Sequence, residues 1–153
     1  MQYQARIVDS ELKTLMKSSG AVLIEGAKAV GKTQSASRLA KSHIYLDIDK
    51  DAQETAKIDP SLILIGLAPL LIDEWQIVPE LWNHVRREID QRESFGQFIL
   101  TGSATPADDV TRHSGAGRFS RLRMRPMTLY EMGQSTGDIS LEKLFKGGEP
   151  KAG

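Results

Sequence analysis

The residues Val22–Ala36 read VLIEGAKAVGKTQSA, and they decide the predicted fold. An apolar run leads into a glycine-bearing turn, and residues that favour helices follow the turn. Gly26, Gly31, Lys32 and Thr33 have the spacing G-x-x-x-x-G-K-[ST]. Glycines let backbone N–H groups turn inward around phosphate oxygens without a Cβ clash, and the start of a helix adds its positive end. The stretch therefore predicts a strand, a phosphate-binding loop and a helix.

This loop supplies the candidate contacts for a nucleotide. Lys32 has the length to reach the β- and γ-phosphates, and the hydroxyl of Thr33 can bind Mg²⁺. A turn that matches the spacing by chance is the alternative, and the apolar strand before the loop argues against it. The candidate nucleotide-binding residues are Gly26, Ala27, Lys28, Ala29, Val30, Gly31, Lys32, Thr33 and Gln34.

The stretch LLIDEWQ places two carboxylates at the end of another apolar run. Asp73 can hold Mg²⁺ through its waters, and Glu74 can orient and deprotonate a water that attacks the γ-phosphate. Taken alone, the pair is equally well explained as an N-cap and a first-turn acid of the next helix. Because a phosphate-binding loop precedes the pair, with a strand and a helix between them, we favour the catalytic interpretation.

The stretch ILTGS ends a further apolar run with polar side chains. A polar residue at the end of a strand between the two sites can sense the γ-phosphate and hold the attacking water. Ser103 is our first choice for this role and Thr101 the second. A strand end that only turns through Gly102 is the alternative.

Apolar runs alternate with helical patterns along the chain. This order predicts an α/β fold in which a parallel sheet carries helices on both faces, with ligands bound at the carboxyl ends of the strands. Asp59 and Pro60 suit the start of a helix, although the apolar run after them also fits a strand. Residues 49–57 are expected to be helical or loose, and residues 104–117 to form a loop. The predicted strands cover 21–25, 43–49, 69–74, 97–103 and 118–126, and the clearest helices cover 9–20, 33–42 and 78–92.

Composition narrows the classes of function. The chain has 153 residues, enough for one domain, and its 20 Lys and Arg residues balance 20 Asp and Glu residues. This balance argues against a strongly basic nucleic-acid scaffold. Without cysteine there is no disulfide or thiolate zinc site. No apolar run could span a bilayer and the first residues lack the apolar core of a signal peptide, so we expect a cytoplasmic protein without a membrane partner.

The order GAKAVGKT, LLIDEWQIVPELW, FILTGS and MRPMTLYE resembles prokaryotic AAA-type ATPases of the P-loop superfamily. The resemblance runs from about Arg6 to about Gly133 and is strongest to the ATP-binding domain usually followed by a C-terminal domain of unknown function. It implies a three-layer P-loop NTPase fold of the ASCE/AAA-like type, with a mainly parallel five-stranded sheet in the order 5-1-4-3-2. It also implies Walker A residues Lys32 and Thr33, Walker B residues Asp73 and Glu74, and a first sensor at Ser103.

The resemblance also has implications for three further residues. Gln76 matches a glutamine of the family. Lys28 occupies a position where members often have arginine. Lysine keeps the positive charge but lacks the guanidinium group that can donate two parallel hydrogen bonds. Arg118 lies where AAA-type proteins often have an arginine that reaches the γ-phosphate of a neighbouring subunit, which implies a homo-oligomer with that arginine supplied in trans. A loop arginine in solvent is the alternative for Arg118.

Residues 1–133 are therefore predicted to form the ATPase core. From Gln134 the hydropathy pattern loses its period, so residues 134–153 are expected to be a linker or the truncated start of a missing C-terminal region. The family's lid and C-terminal domain would then be absent from this chain.

The predicted function is ATP binding with Mg²⁺-dependent hydrolysis by water attack on the γ-phosphate. The candidate catalytic residues are Glu74, Lys32, Ser103 and Arg118, and the candidate Mg²⁺ residues are Thr33 and Asp73. The alternative is a nucleotide-dependent binding or switch module that hydrolyses little ATP. The GTPase motif N-K-x-D cannot occur, because the only asparagine, Asn83, precedes a histidine.

A weaker alternative is association with DNA. Arg121, Arg123 and Arg125 alternate with apolar residues, which places three positive charges on one side of a predicted strand. These arginines could contact a phosphate backbone. A solvated edge strand protected by charge is the interpretation that we favour.

Overall fold

The structure is a computed structural model that describes residues 2–103 and 117–147. In this part of the chain, five strands form one sheet in which every pair is parallel. The order β2-β3-β4-β1-β5 is the predicted order 5-1-4-3-2 read from the other edge, so the prediction is confirmed. The strands are β1 (Ala21–Glu25), β2 (Ser42–Tyr45), β3 (Leu70–Asp73), β4 (Phe98–Gly102) and β5 (Phe119–Arg123).

Helices cover both faces of the sheet, as predicted. On one face, α1 and α2 pack through Leu12, Met16 and Ala36 onto side chains that include Val22 and Ile24. On the other face, α3 and α4 pack onto alternate residues of the same strands, among them Leu23, Ile72 and Leu100. Because successive strand residues face opposite layers, both layers require apolar side chains, and the central strands are continuous apolar runs. The helices are α1 (Val8–Met16), α2 (Lys32–Ser37), α3 (Lys50–Ile58), α4 (Leu81–Arg92) and α5 (Leu141–Phe145).

Most element boundaries differ from the predicted ones, and hydrogen bonds explain the differences at α2 and β2. The helix predicted over 33–42 ends at Ser37. The backbone N–H of Lys41 donates to the carbonyl oxygen of Pro69 at 2.8 Å, and this hydrogen bond directs the chain into β2. The strand predicted over 43–49 is shorter, because the Asp49 side chain accepts the N–H of Ala52 at 2.9 Å and caps α3. After Asp59, which caps Ser61, the chain forms the 3-10 helix Pro60–Ile63, so the helical interpretation holds and the strand does not.

The described residues after Gly133 are all exposed. They include α5, which the sequence pattern did not predict and which Ser140 caps by accepting the N–H of Lys143 at 3.1 Å. Apart from Gly117, the expected loop 104–117 lies outside the described residues, and the division of the chain at residue 133 remains a prediction. No helix in the described ranges is long and apolar enough to cross a membrane.

Candidate functional site

The phosphate-binding loop follows β1 at the carboxyl edge of the sheet. A Cβ added at Gly26 would lie 2.3 Å from the carbonyl oxygen of Met124, so only glycine fits there. Gly31 has φ +94° and immediately precedes α2, which begins at Lys32 as the sequence pattern indicates. The side chain of Lys32 is buried, and its Nζ donates to the carbonyls of Gly26 and Ala27 at 2.9 and 2.7 Å. The loop therefore curves around the lysine ammonium group.

Thr33 and Asp73, the predicted Walker A and Walker B residues, are in direct contact. Thr33 Oγ1 donates a 2.7 Å hydrogen bond to Asp73 Oδ1, and the Thr101 hydroxyl donates to the same oxygen. Thr101 is fully buried and also accepts the backbone N–H of Glu74 at 3.3 Å. Its hydroxyl thus contacts both residues of the acidic pair. A role for Thr101 in sensing the γ-phosphate stays a prediction.

Glu74 lies next to both Ser103 and Gln76. Ser103 Oγ donates to Glu74 Oε2 at 3.1 Å, and the amide Nε2 of Gln76 donates to the same oxygen. Glu74 has φ +54°, in the left-handed region that non-glycine residues seldom adopt. The 3-10 helix Trp75–Ile77 then folds the chain back, so that Gln76 faces the carboxylate two residues before it. The sequence indicated no role for Gln76, and this turn places its amide beside the carboxylate of Glu74.

The structure does not bring Arg118 to the phosphate-binding loop. The carbonyl of Arg118 accepts the N–H of Ala21 at 3.0 Å, which places it at the amino end of β1. A five-residue strand spans roughly 16 Å, so this is the far edge of the sheet from Lys32. Arg118 Nε donates instead to Asp90 Oδ1 on α4 at 2.5 Å, and this hydrogen bond lowers the pKa of the Asp90 carboxyl group. A role for Arg118 at a neighbour's nucleotide remains a prediction.

A cavity of about 450 Å³ opens beside the loop. The predicted loop residues line one side of this cavity, and the other walls come from the N-terminal segment and the residues after β5, for which the sequence predicted no contact with a ligand. Lys28 is exposed at its rim, as are Ala29 and Gln34. The cavity is lined by Gln2, Tyr3, Gln4 and Arg6 from the N-terminal segment, by the loop, and by Pro126 and Met127.

Arg121 and Arg123 lie on the edge strand β5, as the favoured interpretation expected, and Arg125 follows that strand. Arg121, Arg123 and Arg125 are exposed, and Arg121 forms a 2.9 Å ion pair with Glu25. Charges at the edge of a sheet prevent pairing with another strand. Contact of these arginines with a DNA backbone remains the weaker alternative.

Comparison with known proteins agrees with this arrangement. An uncharacterized protein of Mycobacterium bovis and one of Mycobacterium tuberculosis are each 29% identical to this chain over 142 residues. The matches cover 90% of this chain and 32% of each relative, so the chain spans about a third of the length of the curated relatives it matches. A family model described as an AAA domain matches residues 18–133, which is most of the chain and includes the loop, the acidic pair and Ser103. The chain therefore belongs to the AAA domain family of P-loop proteins.

Proposed function

We propose that this chain binds ATP and hydrolyses it with the help of Mg²⁺. The observation that carries the proposal is the 2.7 Å hydrogen bond between Thr33 and Asp73, formed beside a loop that encloses Lys32. It joins a hydroxyl that can ligate a metal to a buried carboxylate, directly next to a second carboxylate at Glu74. This is the set of groups that phosphoryl transfer to water requires.

The residues present suit Mg²⁺ bound together with a nucleotide. Mg²⁺ prefers oxygen ligands and keeps several waters, so one hydroxyl and one carboxylate suffice when phosphate oxygens complete the shell. Among residues 2–103 and 117–147, no group of three or more His, Asp or Glu side chains could hold a metal by itself, which agrees with such a shared site. When bound, Mg²⁺ would neutralise charge on the β- and γ-phosphates.

The chain's own residues would then act as follows. The Lys32 ammonium group exchanges its bonds to the Gly26 and Ala27 carbonyls for bonds to phosphate oxygens. Glu74 accepts a proton from the attacking water, which requires the carboxylate in a fixed position. Ser103 and Gln76 donate to one oxygen, Oε2, and leave the other oxygen of Glu74 for the water.

A second candidate function has its own support in the position of Arg118. Arg118 lies at the opposite edge of the sheet from Lys32, so the γ-phosphate would not meet this arginine within the same subunit. An arginine that stabilises the transition state accelerates such reactions by about 10³–10⁵. A monomer of this chain could therefore bind ATP as a switch module and hydrolyse it very slowly.

The test is ATP turnover as a function of protein concentration, for the wild type and for Glu74→Gln and Lys32→Ala. We expect Glu74→Gln to keep ATP binding and lose hydrolysis, and Lys32→Ala to lose binding. Glu80→Gln is a matched control, because Glu80 is exposed and its side chain does not cap α4. Turnover unchanged in Glu74→Gln would remove Glu74 from the mechanism, and ATP binding without turnover at any concentration would favour the switch module.

A further inference from the structure

Arg6 lies behind the phosphate-binding loop and is only 8% exposed. Each of its guanidinium nitrogens donates to a different partner. Nη1 donates to the carbonyl of Val30 in the loop and Nη2 to the carbonyl of Arg125 after β5, both at 2.7 Å. Nε donates to Glu131 Oε1 at 3.1 Å. The planar fork of one arginine thus joins the loop to the segment that follows β5.

Glu131 holds Arg6 in this position. Its side chain is 5% exposed and also accepts the backbone N–H groups of Thr128 at 2.7 Å and Ile7 at 2.8 Å. Hydrogen bonds from the backbone of Thr128, from the backbone of Ile7 and from the side chain of Arg6 lower the pKa of Glu131 to about 2. A buried carboxylate that is charged and saturated with donors gives the arginine a fixed counter-charge.

The bond from Arg6 to Val30 orients one peptide group of the loop. In a trans peptide the C=O and the following N–H point in opposite directions. Since the Val30 carbonyl points at Arg6, the N–H of Gly31 points to the side of the loop away from Arg6. The neighbouring residue Ala29 has φ +64°, a backbone conformation that a non-glycine residue keeps only with support from its surroundings.

We propose that Arg6, fixed by Glu131, is a positioning residue for nucleotide binding. It holds the Val30–Gly31 peptide so that the N–H of Gly31 is available to a phosphate oxygen of a nucleoside di- or triphosphate. The inference rests on the proposed binding of ATP, and it adds a residue outside the span 18–133 that the family model matches.

Calorimetric titration of ADP without Mg²⁺ and of a non-hydrolysable ATP analogue with Mg²⁺ tests the proposal, because both measure binding without turnover. Arg6→Met removes the fork and Arg6→Lys keeps the charge with a single point of attachment. The matched control is Arg92→Met. Arg92 also donates to three partners (Glu88, Gln97 and the Leu64 carbonyl), but it lies on α4, away from the loop.

We expect both Arg6 variants to bind each nucleotide about 10- to 100-fold more weakly, by analogy with the loss seen when residues that orient metal ligands are removed. Arg92→Met should bind within about twofold of the wild type while its melting temperature falls. If Arg6→Met does not fold, the nucleotide affinity of Arg6→Lys decides between the outcomes. Arg6 variants that are folded and bind like the wild type would overturn the proposal, and so would an equal loss of affinity in Arg92→Met. A wild type that binds neither nucleotide would instead reject the proposed function, and the role of Arg6 with it.

Discussion

Ser103 donates a 3.1 Å hydrogen bond to Glu74 although the two residues are 29 positions apart in the sequence. They meet because β3 and β4 are parallel neighbours, so the segments that follow the two strands leave the sheet at the same edge. Gln76 donates to the same carboxylate oxygen from the turn after β3. The proposed base is thus held from two strands, and each contact can be tested separately.

Loss of either donor should slow hydrolysis more than it weakens binding. We expect Ser103→Ala and Gln76→Met to lower kcat by about tenfold and to leave KM for ATP within about twofold, since neither residue contacts the loop that binds phosphates. Steady-state kinetics with melting curves measures both effects. If KM rises while kcat is unchanged, the residues serve substrate binding and not the base.

Removal of the charge at Asp73 should abolish the dependence on Mg²⁺. Asp73→Asn keeps an oxygen that can accept from Thr33 and Thr101, so we expect a folded protein with at least 100-fold slower turnover. A titration of Mg²⁺ at constant ATP reports the change. Asp51→Asn, at an exposed position in the first turn of α3, is the control that should behave as the wild type. A normal Mg²⁺ response in Asp73→Asn would place the metal elsewhere.

Gly26→Ala should damage both the fold and nucleotide binding. The added Cβ would lie 2.3 Å from a backbone oxygen of Met124, and φ of +155° suits only glycine. Gly133→Ala is the matched control, because φ is +71° there and nothing lies within 4 Å of the added Cβ. That control should cost about 1–2 kcal/mol from backbone strain alone, and Gly26→Ala clearly more. Equal losses in chemical denaturation would show that the contact with Met124 relaxes without cost.

The parallel sheet with helices on both faces followed from the order of apolar runs and helical patterns, whereas its strand order followed from the family resemblance. Each strand is an apolar run that must be buried on both faces, and parallel strands bring their polar ends to one edge. The role of Gln76 could not be predicted, since it depends on the left-handed backbone of Glu74. Arg6 and Glu131 are 125 positions apart, and nothing in the stretch MRPMTLYE, which Glu131 ends, indicates a contact with Arg6, so only the folded chain reveals the pair.

The position of Arg118 at the far edge of the sheet could have been predicted from its place just before the last strand. A residue immediately before a parallel strand lies at the amino edge of the sheet, opposite to the phosphate-binding loop. The shortened α2 is a different case. Helix propensity favours its continuation beyond Ser37, and a tertiary hydrogen bond from Lys41 to Pro69 overrides that preference.

An arginine supplied by a neighbour makes turnover depend on protein concentration. In that case specific activity of the wild type should rise with concentration, and Arg118→Ala should remove the rise. Asp90→Ala breaks the same ion pair and keeps the arginine, so it separates a structural role from a catalytic one. We expect Asp90→Ala to retain the rise. If both variants lose it equally, the ion pair only stabilises the domain.

The low pKa of Glu131 predicts how acid destabilises the domain. The native pKa is about 2 and the ordinary value is 4.5, so the folded state favours the charged form. The contribution of this carboxylate is complete above about pH 4.5 and is lost as the pH falls toward 2, because the unfolded state binds the proton more readily. Glu131→Gln should therefore lower the melting temperature at neutral pH and make it less dependent on pH between about 5 and 2. Melting curves across this range, with Glu142→Gln on the exposed α5 as the control, measure the difference. An unchanged pH dependence in Glu131→Gln would mean that other carboxylates govern unfolding in acid.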